Sequence, residues 1–293
     1  MTFEGSYVAL VTPFDTEGRI DEGAYRDLIR RQIKGGTNGL VPCGSTGEAA
    51  TLTHDEFRRA LVIALEESRG DVPVMAGVGT NATWKAMELA REAESLGADA
   101  LLVLAPYYNK PTREGVYLHF RETARQTRLP VMLYNIPGRC GVNVAPSTIA
   151  RLAKDCPNIV AVKEAAGSLD QVSEIVSLTS SSFTVMSGDD SLTLPMMAVG
   201  ARGVVSVVAN VAPKETAALC AALLKGDLKK ARALHLKLFP LVKALFVETN
   251  PIPVKAALGM MGLCLPDPRL PLTPLSASAR PALKKALKDF GLL

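Results

Sequence analysis

The chain has little of what most cofactor, metal or membrane chemistry is built from. Its five cysteines, Cys43, Cys140, Cys156, Cys220 and Cys264, are odd in number and contain no C-x-x-C pair. That argues against a disulfide framework and a zinc site, and fits a reducing cytoplasm. Only three histidines occur. His54 lies in a helix-capping sequence, and His119 and His235 lie in helical stretches without carboxylate or cysteine partners, so no metal-ligand set is expected. No run of about 18 apolar residues exists, so no membrane span is expected. The first residues, Met1-Thr2-Phe3-Glu4-Gly5-Ser6, lack a basic segment followed by an apolar one, and no secretory signal is expected. Lys and Arg number 33 against 29 Asp and Glu, a net charge of +4 spread among both signs. A mixed, solvated surface follows, with no nucleic-acid partner. No G-x-G-x-x-G follows the first strand pattern, which removes the dinucleotide fingerprint.

What the chain does have is alternation. With 48% hydrophobic residues it has the material for a large folded core. Short apolar runs at 7–11, 39–42, 72–76, 100–104, 131–134, 159–163, 183–186 and 203–207 recur about every 25–35 residues, the length of a βα unit. Most are apolar on both faces, as a parallel sheet covered by helices requires. Between them lie amphipathic stretches. Thr53-His54-Asp55-Glu56 reads as a capping box, followed by Phe57, Ala60, Leu61, Ala64 and Leu65 at helical spacing. Ser168-Leu169-Asp170-Gln171 reads as a second one. Tyr25, Leu28, Ile29 and Ile33 form another buried stripe, ending at Gly35-Gly36. The single Trp84 reads as a packing residue. Eight such units predict an α/β fold, a (β/α)8 TIM barrel over residues 1–225, with a doubly wound sheet as the alternative. The eighth barrel helix is expected over 213–224. Residues 226–293 read as a C-terminal helical appendage, with helices over 228–246, 254–261 and 277–290.

In such barrels the reacting groups lie at the C-terminal strand ends and in the loops that follow. Strand two leads into Cys43-Gly44-Ser45-Thr46-Gly47-Glu48, and strand four into Pro106-Tyr107-Tyr108-Asn109. Strand five ends at Tyr134 and runs on through Asn135-Ile136-Pro137-Gly138-Arg139. Strand six ends at Lys163, and strand seven leads into Ser187-Gly188-Asp189-Asp190. An amine, a phenol and a guanidinium on one rim are parts for carbonyl chemistry. A lysine attacks a ketone to form a Schiff base, a tyrosine moves protons, and an arginine grips a carboxylate. The lysine must be neutral to attack, and a free amine with a pKa of about 10.4 is not; placement in an apolar barrel mouth would supply the shift. Glycines around Ser45 and Thr46 let backbone N–H groups approach a carboxylate. Taken singly, each element also has a structural reading: a lysine paired with Glu164, a core tyrosine, a surface ion pair, an ordinary strand-to-helix turn. Cys43 and Cys140, beside these loops, read as packing residues.

Together these stretches resemble the pyruvate-dependent class I aldolase (N-acetylneuraminate lyase) family, in order and spacing and over nearly the whole chain. Arg139 after Tyr134-Asn135-Ile136-Pro137-Gly138, the pair Tyr107-Tyr108, and Glu248-Thr249-Asn250-Pro251-Ile252-Pro253-Val254-Lys255 resemble its dihydrodipicolinate synthase branch. The resemblance implies a lyase of the diaminopimelate and lysine biosynthetic route, condensing pyruvate with aspartate semialdehyde without a cofactor. It implies Lys163 as the Schiff-base residue and Tyr134, Ser45 and Tyr108 as a proton relay, with Tyr108 given across a subunit interface. It implies Thr46 and Arg139 as carboxylate ligands, Gly188 and Val205 as backbone contacts near the imine, and a homotetramer built of two tight dimers. An effector pocket for lysine is implied at His54, Asn81 and Tyr107. There, however, Phe57 and Lys85 replace a histidine and a glutamate of the lysine-inhibited members, and Lys85 would repel an ammonium, so weak or absent feedback is expected. Ser45 stands where threonine is usual, a place that serine also occupies among the lyases. The alternatives are an aldolase acting on sialic or 2-keto-3-deoxy sugar acids and a catalytically silent barrel that binds a keto acid.

Overall fold

A computed structural model describes residues 3–293. Eight strands, β1 (Gly5–Ala9), β2 (Gly39–Val41), β3 (Met75–Gly77), β4 (Ala100–Leu104), β5 (Val131–Asn135), β6 (Ile159–Glu164), β7 (Thr184–Ser187) and β8 (Gly203–Ser206), pair in parallel. The order β2-β1-β8-β7-β6-β5-β4-β3 is that of consecutive neighbours around a ring. A parallel bridge between Leu40 and Val74 joins the two ends, so the sheet closes on itself. Helices α1 (Glu22–Lys34), α2 (His54–Ser68), α3 (Thr83–Ser95), α4 (Arg113–Ala124), a single turn α5 (Pro137–Cys140), α6 (Pro146–Asp155), α7 (Leu169–Leu178), α8 (Thr193–Ala198) and α9 (Pro213–Leu224) connect and surround it. The fold is the expected (β/α)8 barrel, and no helix among the described residues is long and apolar enough to cross a membrane.

Strand alternation sorts side chains into two cores. Ala100 and Leu102 of β4, Met132 and Tyr134 of β5, Ala161 of β6, Met186 of β7 and Val205 of β8 fill the barrel interior. The residues between them, such as Leu101, Val103, Leu133 and Val162, pack outward under the helices. The same parity turns Lys163, two residues after Ala161, toward the interior. A third cluster joins Val11, Leu28, Val207 and Val208 of the barrel to α9, α10 (Leu228–Ala244), α11 (Ile252–Met260) and α12 (Arg280–Phe290).

Several local expectations shift. β1 starts at Gly5 and ends at Ala9, because the amide of Val11 goes to the Asn210 side chain instead of a neighbouring strand. β3 begins only at Met75, after Pro73, which has no N–H for a ladder and offers just its carbonyl, to the Leu40 amide. Thr53 and Glu56 do form the reciprocal capping box. At Ser168 only half of one forms: its hydroxyl accepts from the Gln171 amide, while the Gln171 side chain reaches Glu164 and Asn143 instead. In α1 the buried stripe includes Gln32, bonded to the Ala209 carbonyl, with Ile33 only partly buried. Trp84 is 59% exposed, not packed, with the Lys85 ammonium against its ring.

Candidate active site

Strand register brings the two leading residues together. Tyr134 of β5 pairs with Lys163 of β6, and Lys163 with Met186 of β7. Inward parity then sets the Lys163 ammonium 4.1 Å from the centroid of the Tyr134 ring. Lys163 is 5% exposed. Burial pulls its pKa down to about 7; nearby Asp190 resists that shift and Arg139 adds to it. At neutral pH about half of such amines are free, against roughly one in 3,000 for a lysine near 10.5. Gly188 supplies the room: a methyl group there would come within 3.1 Å of Lys163 Cε and 2.7 Å of Ala165 Cβ. Only a residue without Cβ leaves the lysine stem undisturbed.

The phenol of Tyr134 is raised above its ordinary pKa by burial, against the opposing charge of Arg139 and a hydrogen bond with the Ser45 side chain. It is therefore protonated at neutral pH, with the Ser45 hydroxyl near it, an arrangement able to pass a proton along. Thr46 is buried, and its Oγ1 lies 2.9 Å from the Asn250 side-chain amide. The same Asn250 accepts through its carbonyl from Arg139 Nη2 at 2.7 Å. Arg139 rides on α5, the single turn that begins at Pro137 and is capped by Gly141 (φ +70°). Its side chain is thus held at the barrel mouth with donors left over. Val205 is buried in the barrel interior, in the same cluster as Tyr134 and Met186.

Two carboxylates lie behind this row. Asp190 is fully enclosed, and its pKa is raised by burial, although Ser206 Oγ (2.5 Å) and the amides of Val207 and Val208 (both 2.9 Å) donate to it. Glu164 is likewise raised by burial, opposed by Asn135, whose Nδ2 lies 3.0 Å from Oε2. Asn135 also accepts from the Val144 amide, so the turn after β5 is braced from beneath. Among the described residues no group of three or more His, Cys, Asp or Glu side chains is placed to hold a metal ion.

A sequence model of the dihydrodipicolinate synthetase family matches residues 2–290. The chain belongs to that family. It is 52% identical over 291 residues to the 4-hydroxy-tetrahydrodipicolinate synthase of Syntrophus aciditrophicus, covering 99% of each chain. The dihydrodipicolinate synthase structure from Thermotoga maritima superposes with a TM-score of 0.98 at 48% identity, covering all of both chains. A structure described as the first monomeric dihydrodipicolinate synthase variant gives 0.97 at 48% identity, over 99% of this chain and 98% of the other.

Not all expected site residues of this dihydrodipicolinate synthetase family member meet within one chain. Tyr108, with φ +72°, is 87% exposed and makes its backbone bond to the Cys140 carbonyl. In the expected effector pocket, the Asn81 carbonyl accepts from Asn109 beside half-buried Tyr107. His54 turns instead to Glu92, 3.0 Å away, and Phe57 is buried. Cys43 and Cys140 are buried, and burial raises the pKa of both thiols, to about 12 and about 11. The sequence pattern assigns no role to Asn250. Asn250 touches residues 204 and 111 positions away, and short-range patterns carry no such signal.

Proposed function

We infer that this enzyme condenses pyruvate with L-aspartate 4-semialdehyde through a Schiff base, giving 4-hydroxy-tetrahydrodipicolinate. The observation that carries the mechanism is the buried, half-neutral amine of Lys163 against the Tyr134 phenol. The free Nζ attacks C2 of pyruvate. The carbinolamine loses water as the relay protonates the departing hydroxyl, and an iminium remains. Loss of a proton from C3 gives the enamine. Its C3 attacks the aldehyde carbon of the second substrate, and the new alkoxide takes a proton from the relay. The amino group of the former semialdehyde then attacks C2, closes the ring and releases Lys163.

In this reading Thr46 and the amides around it hold the pyruvate carboxylate, and Gly188 and Val205 contribute backbone contacts beside the imine. Arg139 receives the carboxylate of the semialdehyde in bidentate fashion. Ser45 and Tyr134 form the inner part of the relay, with Tyr108 from a partner chain as its outer member. The near-complete exposure of Tyr108 is compatible with that arrangement, and a homotetramer of two tight dimers is proposed with it. A cytoplasmic location is proposed with it. The sugar-acid aldolase and the silent barrel are not favoured: the full-length relatives are synthases, and an amine tuned to neutrality has no use in a passive scaffold. A coupled assay with pyruvate tests the substrate directly. Turnover is expected with aspartate semialdehyde and not with sialic or 2-keto-3-deoxy sugar acids; the reverse preference would refute this reading.

A further inference from the structure

The loop that carries Ser45 and Thr46 is anchored from behind by a charged cluster that the reaction itself does not use. It opens and closes with non-glycine residues in the left-handed region, Cys43 at φ +57° and Glu48 at φ +56°. Side chains other than glycine adopt this conformation only when something holds them there. For Glu48 the hold is visible. One carboxylate oxygen accepts from Lys255 Nζ at 2.7 Å, and the other from the Arg269 amide at 2.8 Å. The ion pair is sealed, with side-chain exposures of 1% and 0%. Lys255 and Arg269 both lie over the Phe14 ring, at 4.2 and 4.1 Å from its centroid. The Arg269 guanidinium then reaches the carbonyls of Gly18 and Thr51 and the carboxylate of Glu56.

A buried ion pair is a poor way to gain stability, since desolvating two charges consumes most of what their attraction returns. Its distinctive property is geometric: each charge tolerates only one position for the other. Here the pair links Glu48, two residues after Thr46, to Lys255, five residues after Asn250. Thr46 and Asn250 are themselves bonded at 2.9 Å. Two parallel ties therefore join the same two segments, one at the site and one behind it. We propose that the Glu48–Lys255 pair is a positioning device for the reaction, fixing the register of the Ser45–Thr46 loop against the Asn250 segment. Through that register it places the carboxylate-binding hydroxyl and, through the Asn250 carbonyl, Arg139 relative to Lys163. The proposal rests on the Schiff-base reading above and names the residues that set its geometry from outside the site.

The test is the double substitution Glu48→Gln with Lys255→Met, which removes both charges and leaves no buried ion alone. Steady-state kinetics, borohydride trapping of the pyruvate adduct at several pH values, and thermal unfolding are measured together, with activity taken below the onset of unfolding. We expect an unfolding temperature near the parent's, kcat/KM for pyruvate lower by at least about tenfold, and an unchanged pH midpoint of trapping, because neither charge faces Lys163. General loosening of the barrel would admit water to the amine and move that midpoint upward. If the double variant does not fold, Glu48→Asp decides, since it keeps the charge but shortens its reach by one methylene. Parental kinetics in the folded variant, or a loss accompanied by a shifted midpoint, overturns the proposal. Absence of a Lys163 adduct in the parent protein would instead overturn the Schiff-base reading.

Discussion

At the scale of single residues, the site is an exercise in controlling one proton. Lys163 is brought near pH 7 first by desolvation, with Asp190 pulling upward and Arg139 pushing downward. Removing Arg139 therefore has two separable effects. Arg139→Gln is expected to weaken aspartate semialdehyde on the order of tenfold to a hundredfold in KM, the worth of a charge-assisted pair. It should also shift the pH midpoint of imine formation to higher pH, because a cation that disfavoured protonation is gone. Steady-state pH profiles with each substrate check both; an unchanged midpoint with a raised KM would limit Arg139 to binding. Much of this scale was legible in the sequence. A lysine and a tyrosine at the ends of neighbouring predicted strands define their own meeting point, because parallel register and inward parity follow from the pattern. Asn250 and the Glu48–Lys255 pair were not, since their partners lie more than 200 residues apart and no local pattern specifies such a contact.

At the scale of elements, boundaries moved where a backbone amide found a side chain instead of a strand, as at Val11, or where none existed, as at Pro73. Capping chemistry was readable where both halves were local, at Thr53, and misleading at Ser168, where Gln171 is captured by Glu164 and Asn143 from outside its helix. The facing helices α2 and α3 bear on regulation. Phe57 is buried on α2, and Lys85 on α3 is exposed with its ammonium over Trp84. A site that takes a lysine effector must accept a second ammonium beside Lys85, which is repulsive without a neighbouring carboxylate. Added lysine is therefore expected to leave the rate unchanged up to millimolar concentration, and inhibition at submillimolar lysine contradicts this. Lys85→Glu should create or strengthen sensitivity in the same titration.

At the scale of the molecule, the barrel gathers its groups onto one rim, but in a single chain Tyr108, the proposed outer relay member, points into solvent. If the outer relay position is filled by a partner, activity is shared between chains. Co-expressing Lys163→Met and Tyr108→Phe chains should give mixed assemblies more active than either parent, because each hybrid pair holds one site with both groups intact. No gain on mixing would place Tyr108 outside the relay. The eight-unit alternation made the barrel legible in the sequence, whereas the cluster joining α9–α12 to Val11 and Leu28 was not, because it is assembled from both ends of the chain.

The central claim is that Lys163 is a neutral nucleophile at physiological pH. Trapping with pyruvate and borohydride from about pH 5 to 9, followed by mass spectrometry of the modified peptide, tests it most directly. The account predicts a single adduct on Lys163 whose rate of formation rises with a midpoint near 7. An adduct elsewhere, no adduct, or a rate still climbing without a plateau at pH 9, as for an ordinary exposed lysine, would contradict it.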